Sequence, residues 1–255
     1  MSVPLFILIL LFFVTSAIGV VTGSNSLITV PVMFQFGIDE KVAVATNMFG
    51  LIFMSVGGSI PFIRQGRIDY RKIWPLAVLT LVGSAVGAAL VGVITNTGMK
   101  LVVSIAMIAV AAFIIWGRNG TGEANRTEAN APLVYALAFA LAIYGGLYSG
   151  GYVTMLTAVL VAFFAMPFGE AVGATKLLNV FSSAIATIVF IWQRLIDYRL
   201  GVILAVTMFV GAYIGAHYAS RMNETWLRRI FLATVILLAL KTLFDLSGPF
   251  ILRAA

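Results

Sequence analysis

Long apolar stretches recur along this sequence, and they limit what it can fold into. Segments of about twenty residues, close to the length at which an α-helix crosses about 30 Å of hydrocarbon, lie at 3–21, 42–63, 73–94, 101–116, 171–192, 200–220 and 226–244. The ten-residue alternation of outer-membrane barrel strands is not found in the sequence. We therefore predict an all-α, polytopic membrane protein, because helices satisfy their own backbone hydrogen bonds in lipid.

The composition supports this class and excludes others. The chain is 62% hydrophobic and 10% charged, with a mean hydropathy of +1.08, whereas soluble domains are about half apolar. The first twenty residues lack the positive n-region of a signal peptide, so we expect them to form a retained helix. The absence of cysteine excludes disulfides and thiolate-bound metals, and we expect no cofactor. We attribute the net charge of +7 to cytoplasmic loops and not to nucleic-acid binding.

The second half of the sequence repeats features of the first. Ile-Asp-Tyr-Arg occurs at 68–71 and again at 196–199, an offset of 128. "VAVATN" at 42–47 resembles "AVGATK" at 171–176 with an offset of 129, and "GVVTG" at 19–23 resembles "GLYSG" at 146–150 with an offset of 127. These matches pair Asn47 with Lys176. We predict two homologous transmembrane repeats, 1–116 and 133–255, joined by a polar cytoplasmic linker at 117–132.

Each predicted repeat opens with an interrupted apolar segment. Residues 22–26 break the first segment, and glycines and serine at 145–151 break its counterpart. Unwound backbone at membrane depth must be buried in protein or line a wet cavity. Paired interruptions in matching halves indicate the binding site of a secondary transporter. We expect the breaks at 22–26 and 148–152 to be non-helical and to meet near the membrane centre.

The distribution of Lys and Arg leaves two topologies open. Either each repeat crosses four times, or each opens with a hairpin that returns to its own side and then crosses three times. The positive-inside rule does not separate them, and both place 64–72 and 117–132 in the cytoplasm. We favour the hairpin version, because it makes the two repeats inverted and brings their helix breaks together.

Several landmarks together resemble the sulfite exporter TauE/SafE family of membrane permeases. They are a Gly/Ser-rich break followed by Pro31, then "GIDEKVAVATN", "QGRIDYRK" and "LVGSAVGAAL", with weaker versions in the second half. The resemblance implies a bacterial inner-membrane protein that moves sulfite or an organosulfonate such as sulfoacetate out of the cell. The sequence departs from the family at its first break, where "TGSNSLITVP" replaces several consecutive glycines.

The charged residues favour an anion as substrate. Every Asp and Glu falls in a loop or near a predicted helix end, whereas cation pumps rely on an intramembrane carboxylate. Lys176 lies roughly 9 Å inside a helix that starts near Glu170. Its ammonium either extends to the membrane surface or, among neighbouring polar side chains, meets a substrate anion in a cavity.

The candidate site combines this lysine with hydroxyls, amides and the backbone of the two breaks, which suit the oxygens of a sulfonate or sulfite. It comprises Lys176, Thr175, Asn179, Thr46, Asn47, Gly23, Ser24, Asn25, Ser149, Gly150, Gly151 and Tyr152.

Three functions are compatible with these features. The first is export of a small sulfur-containing anion, and the second is uptake of another small organic anion. The third is a non-transporting assembly subunit, although the paired breaks then have no purpose. An enzyme is not expected, because one histidine, no cysteine and no buried carboxylate leave no catalytic constellation.

Overall fold

The structure, a computed structural model, describes residues 3–23, 25–66, 68–116 and 131–223, together with 225, 226, 229 and 233. These residues form helices and no strand, as predicted. Five of the helices (α1, α3, α4, α8 and α9) are long and apolar enough to cross a membrane. The helices are α1 (Val3–Thr22), α2 (Ser26–Gln35), α3 (Glu40–Arg64), α4 (Tyr70–Val93), α5 (Asn96–Trp116), α6 (Ala131–Leu147), α7 (Tyr152–Phe163), α8 (Phe168–Trp192) and α9 (Tyr198–Ala219).

Most of the predicted linker and the end of the predicted second repeat lie outside the described residues. Residues 117–130 of the linker lie outside the described residues, and α6 begins at Ala131, within the predicted linker. The apolar stretch 226–244 lies almost entirely outside them as well.

Aspartates start three of the long helices. Asp39, Asp69 and Asp197 stand just before α3, α4 and α9, and each side chain accepts a hydrogen bond from a backbone N–H of the first turn. Such caps satisfy donors that have no partner within the helix. The repeated Ile-Asp-Tyr-Arg motif is therefore a helix-start signal used at equivalent places in both halves.

Left-handed backbone conformations recur with a constant spacing. Six described residues have positive φ, and they form three pairs in which the members are 128 residues apart. The pairs are Gly23 with Gly151, Gly37 with Ala165, and Gly66 with Arg194. The second and third pairs flank α3 and α8, so the chain between these turns has the same length in both halves.

This spacing corrects the sequence alignment of α3 with α8. Both helices have 25 residues, and their first residues are 128 apart, so Asn47 corresponds to Thr175 and Lys176 corresponds to Met48. The contacts repeat in this register, because Asn47 is bonded to Thr29 on α2 at 3.0 Å and Thr175 contacts Thr157 on α7 at 3.1 Å. The pairing of Asn47 with Lys176 was wrong, because Ala, Val and Thr match almost equally well after a shift of one residue.

Helices from different halves run parallel in two pairs. Thr46 near the start of α3 accepts a hydrogen bond from the Asp197 N–H before α9, and beyond the other ends of these helices Gln65 donates to Ser220 at 2.7 Å. Helices α4 and α8 form the second pair, and contacts near both of their ends show that they also run parallel. Lys72 lies 3.6 Å from Glu170 near their starts, and Gln193 donates to the Ala88 carbonyl near their ends.

The corresponding helices α3 and α8 run in opposite directions. Gly173, in the second turn of α8, packs against Phe62, in the last turn of α3. Asn179 and Ser55, near the middles of the two helices, are hydrogen-bonded. These contacts place α3 and α8 antiparallel at the centre of the molecule.

Glycine pairs join each half to the first helix of the other. Gly211 and Gly215 on α9 lie against backbone carbonyls of α1, and Gly83 and Gly87 on α4 lie against those of α6. A Cβ atom at Gly87 would lie 1.9 Å from the Ile143 oxygen, so no larger residue fits. Small residues allow this close backbone approach in lipid, and here they interlock the halves.

The first two helices of each half form a hairpin. The glycine contacts set α1 parallel to α9, and therefore to α3, whereas α2 runs antiparallel to α3 because four residues connect them. In the second half, the glycine contacts set α6 parallel to α4, and therefore to α8, whereas α7 runs antiparallel to α8 because four residues connect them. Helices α6 and α7 therefore form a second hairpin. With 10 residues, α2 is about 15 Å long, half the thickness of the hydrocarbon core.

Candidate functional site

The tips of the two hairpins meet in the interior of the molecule. The Tyr148 hydroxyl donates to the Ser26 carbonyl at 2.9 Å, and the Ser26 and Ser149 hydroxyl oxygens are 3.3 Å apart. The Thr154 hydroxyl donates to the Thr22 carbonyl. Breaks are therefore present where they were predicted, between the end of α1 at Thr22 and the start of α2 at Ser26 and between Leu147 and Tyr152, and their flanks contact each other. Thr22, Ser26 and Tyr152, which the prediction included in the breaks, belong to the helices. Ser24 lies outside the described residues.

Glycines make the two tips possible. Gly23 and Gly151 have φ of 70° and 80°, a conformation in which L-residues with a Cβ are strained. A Cβ atom at Gly23 would also lie 2.6 Å from Val153 Cβ. At Gly150 it would lie 2.4 Å from the Tyr148 ring. Gly23, Gly150 and Gly151 are therefore needed for the packing of the tips.

Two helix N-termini begin at these tips. Neither α2, whose N-cap is Asn25, nor α7, whose N-cap is Gly151, has a side-chain cap. The Asn25 side-chain oxygen is buried without a hydrogen-bond partner among the described residues. Uncapped N-terminal N–H groups favour an anion.

Lys176 lies in the protein interior beside the first hairpin. Lys176 is 2% exposed. It stands eight residues after the start of α8, about 12 Å into the helix. The Lys176 Nζ donates to the Gly19 carbonyl at 2.7 Å. This carbonyl is in the last turn of α1, at the negative end of the helix dipole. The side chain therefore does not extend to the surface. Among the buried residues of the described chain, Lys176 alone has a charged side chain.

The neighbours of Lys176 on α8 differ in how well their polar groups are paired. The Thr175 hydroxyl contacts Thr157 and donates to the Val172 carbonyl. The Asn179 amide nitrogen donates to the Ser55 hydroxyl at 2.6 Å, but its oxygen has no partner among the described residues. Asn179 therefore keeps hydrogen-bonding capacity one turn from the lysine.

Three other sequence candidates, Thr46 and Asn47 on α3 and Tyr152 on α7, pack against neighbouring parts of the fold. Thr46 holds the start of α9 through the Asp197 N–H. Asn47 donates to the Ser26 hydroxyl at 2.9 Å and accepts from Thr29 at 3.0 Å, so both of its amide atoms are paired. Tyr152 is fully buried and packs its ring against Gly145. These contacts give each of the three side chains a role in packing the helices.

Two further polar residues on α8 were not among the sequence candidates. Ser183 and Thr187 are buried, and neither hydroxyl has a hydrogen-bond partner among the described residues. They follow Lys176 and Asn179 at helical spacing, so the four side chains share one face. This periodicity is visible in the sequence, but Ser and Thr are common in membrane helices, and only the missing partners distinguish these two.

A cavity of about 550 Å³ opens at the end of the molecule where α4 and α8 begin. Its lining includes Asp69, Lys72, Glu170 and Asn223, and Lys72 lies 3.6 Å from both carboxylates. Ile68 also lines this cavity. Ile68 and the Phe62 ring pack on Gly173, which lies between Glu170 and Lys176 along α8. Among the described residues, all carboxylates lie at helix starts.

The sequence of the chain matches one known family over most of its length. The profile of the family described as sulfite exporter TauE/SafE covers residues 8–242. The chain belongs to the TauE/SafE family. It is therefore a multi-pass membrane protein of a transporter family, as the resemblance and the apolar helices implied.

The relatives that match the chain are bacterial proteins, and the matches cover most of its length. A probable membrane transporter protein, ORF9, of a Sinorhizobium species is 24% identical over 93% of this chain and 91% of that protein. The probable membrane transporter protein YfcA of Escherichia coli is 23% identical over 95% of this chain and 92% of that protein. A probable membrane transporter protein of Haemophilus influenzae is 22% identical over 91% of this chain and 92% of that protein. A bacterial inner-membrane location is consistent with them. No solved structure matches the chain.

Proposed function

We propose that this TauE/SafE protein is a secondary transporter that exports a small sulfur-containing anion, sulfite or an organosulfonate such as sulfoacetate. The observation that carries the proposal is Lys176, a lysine buried beside the break that ends α1, whose one hydrogen bond within the described part of the chain goes to a backbone carbonyl there. A buried charge without a counter-charge costs several kcal/mol, and the described residues supply no carboxylate to it. An arriving anion offsets that cost.

The surroundings of Lys176 suit a sulfonate or sulfite group. Its oxygens accept several hydrogen bonds, and the uncapped starts of α2 and α7 together with the Asn25 and Asn179 amides offer donors nearby. A side-chain amide can turn its NH₂ group toward an acceptor. The site thus provides one lysine amine and several neutral donors.

The proposed mechanism is alternating access between two inverted repeats. The antiparallel arrangement of α3 and α8, the opposed hairpins and the 128-residue spacing of the turns support this architecture. In it, each repeat has a re-entrant hairpin and three crossings, and 64–72 and 117–132 face the cytoplasm. A reporter that is active only in the periplasm should stay silent at Gly120. Fused after Ala255, it should be active, whereas four crossings per repeat predict silence there.

Flux measurements with purified protein in vesicles test the function itself. We expect sulfite or a sulfonate to exchange across the vesicle membrane, and thermal-shift screening with sulfonates, carboxylates and phosphonates to rank the ligands. Flux of a carboxylate with none of sulfite or sulfonates would favour the uptake permease for another organic anion. Absence of any flux would favour an assembly subunit.

A further inference from the structure

The face of α8 that begins at Lys176 continues as a row of buried side chains with unpaired polar atoms. We call Lys176, Asn179, Ser183 and Thr187 the α8 polar face. The last three residues are at most 3% exposed. Asn179 Oδ1, Ser183 Oγ and Thr187 Oγ1 have no hydrogen-bond partner among the described residues.

Packing alone does not account for this row. A buried polar group without a partner costs roughly 1–3 kcal/mol, and alanine or valine would fill the same space without that cost. Other buried hydroxyls on the same helix are paired. Ser182, the neighbour of Ser183, lies 2.8 Å from the Ser84 hydroxyl, and Thr175 is bonded to its own helix and to Thr157.

The corresponding face of α3 shows whether the shared fold needs polar side chains at these positions. In the 128-residue register this face consists of Met48, Leu51, Ser55 and Ser59. Met48 and Leu51 are apolar, Ser55 accepts from Asn179, and Ser59 donates to the Val56 carbonyl at 3.0 Å. None of these side chains is left with an unpaired buried atom. The unpaired row is therefore specific to α8.

We infer that the α8 polar face lines the route by which the oxyanion passes between Lys176 and the end of α8 remote from the 64–72 loop. This inference rests on the proposed function. The hydroxyls of Ser183 and Thr187 donate to the oxygens of the moving anion, and the Asn179 amide transfers it from the lysine. Neutral donors suit a route, since they bind an oxyanion weakly enough to release it.

Substitution of the hydroxyls separates transport from stability. Ser183→Ala and Thr187→Val should reduce the rate of sulfite or sulfonate flux at least about tenfold for the pair, as for a lost hydrogen bond to a charged acceptor. Their midpoints of thermal unfolding should stay unchanged or rise. The matched control, Ser182→Ala, should lower the midpoint and retain flux. Parental flux in the double variant, alongside an active parent, overturns the route but not the proposed function.

Thiol labelling tests the route without requiring transport. The chain has no cysteine, so Ser183→Cys, Thr187→Cys and Ser182→Cys each introduce a single thiol. A membrane-impermeant maleimide applied from the side opposite the 64–72 loop should label positions 183 and 187 but not 182, and a sulfonate, which does not react with maleimide, should slow the labelling. Equal protection of all three positions in parent-like protein contradicts the inference. Labelling at 183 and 187 in a protein that moves no anion would instead reject the proposed function.

Discussion

Helices α3 and α8 have the same length, equivalent flanking turns and equivalent contacts to a short hairpin helix, yet their polar residues do different work. On α3, Thr46 and Asn47 are bonded to other helices, and Met48 stands at the position that corresponds to Lys176. On α8 the lysine is followed by polar atoms that no described residue bonds. The comparison shows that Thr46 and Asn47 of α3 are paired with other parts of the fold, whereas the α8 polar face keeps polar atoms without a partner among the described residues, as the proposed substrate site requires.

The largest effect should come from moving the lysine to the other helix. Met48 is 1% exposed, and Met48→Lys places a charge in an environment built for an apolar side chain. We expect the free energy of unfolding to fall by at least about 3 kcal/mol, measured by thermal unfolding in detergent. Met48→Leu is the volume-matched control. A stable Met48→Lys variant would mean that both helices tolerate charge and that α8 is not special.

Removal of the charge from α8 should affect binding more than folding. Lys176→Met keeps the length of the side chain and should weaken sulfite or sulfonate binding at least about tenfold, roughly 1.4 kcal/mol, without a lower melting temperature. Lys176→Arg should retain part of the affinity, because its planar group presents the charge differently. The exposed Lys100→Met serves as control. Parental affinity in Lys176→Met would leave the helix tips as the site.

In contrast to Lys176, substitution of Asn47 should affect folding more than anion binding. Asn47→Leu removes the bonds to Ser26 and Thr29 and should cost about 1–3 kcal/mol of stability, with a smaller change in anion affinity than Lys176→Met. Thr175→Val at the corresponding position of α8 should cost about 1 kcal/mol. Thermal unfolding and ligand titration of both variants provide the test. Loss of affinity with unchanged stability in Asn47→Leu would restore Asn47 to the binding site.

The smallest effect concerns the equivalent turns after α3 and α8. Gly66 and Arg194 have φ of 64° and 57°, a region that costs an L-residue about 1–2 kcal/mol. Arg194→Gly should therefore raise stability, by less than about 1 kcal/mol because glycine loses more entropy on folding. Gly66→Ala should lower it by about 1 kcal/mol. Equal stability of both variants and the parent would show that the two turns are not conformationally equivalent in solution.

The sequence alone determined the class of the protein, its interrupted helices and its family. These features depend on local properties: apolar length, glycine at left-handed turns, and aspartate before a helix. The same local rules explain why both Ile-Asp-Tyr-Arg motifs start helices at Asp69 and Asp197.

The tertiary structure decided the register of the two halves and the partners of each polar side chain. Degenerate small residues allowed Asn47 to be matched with Lys176 at an offset of 129. The turns on either side of α3 and α8 show that the offset of 128, which the Ile-Asp-Tyr-Arg motifs have, also holds within these helices. Thr46 and Asn47 read as ligands in the sequence, because the residues that satisfy them come from α9 and α2. In the sequence, Ser183 and Thr187 look like ordinary helix residues, because the sequence does not show that no described residue bonds their hydroxyls. Whether a hydroxyl is paired depends on the helix packed against it, which no local pattern encodes.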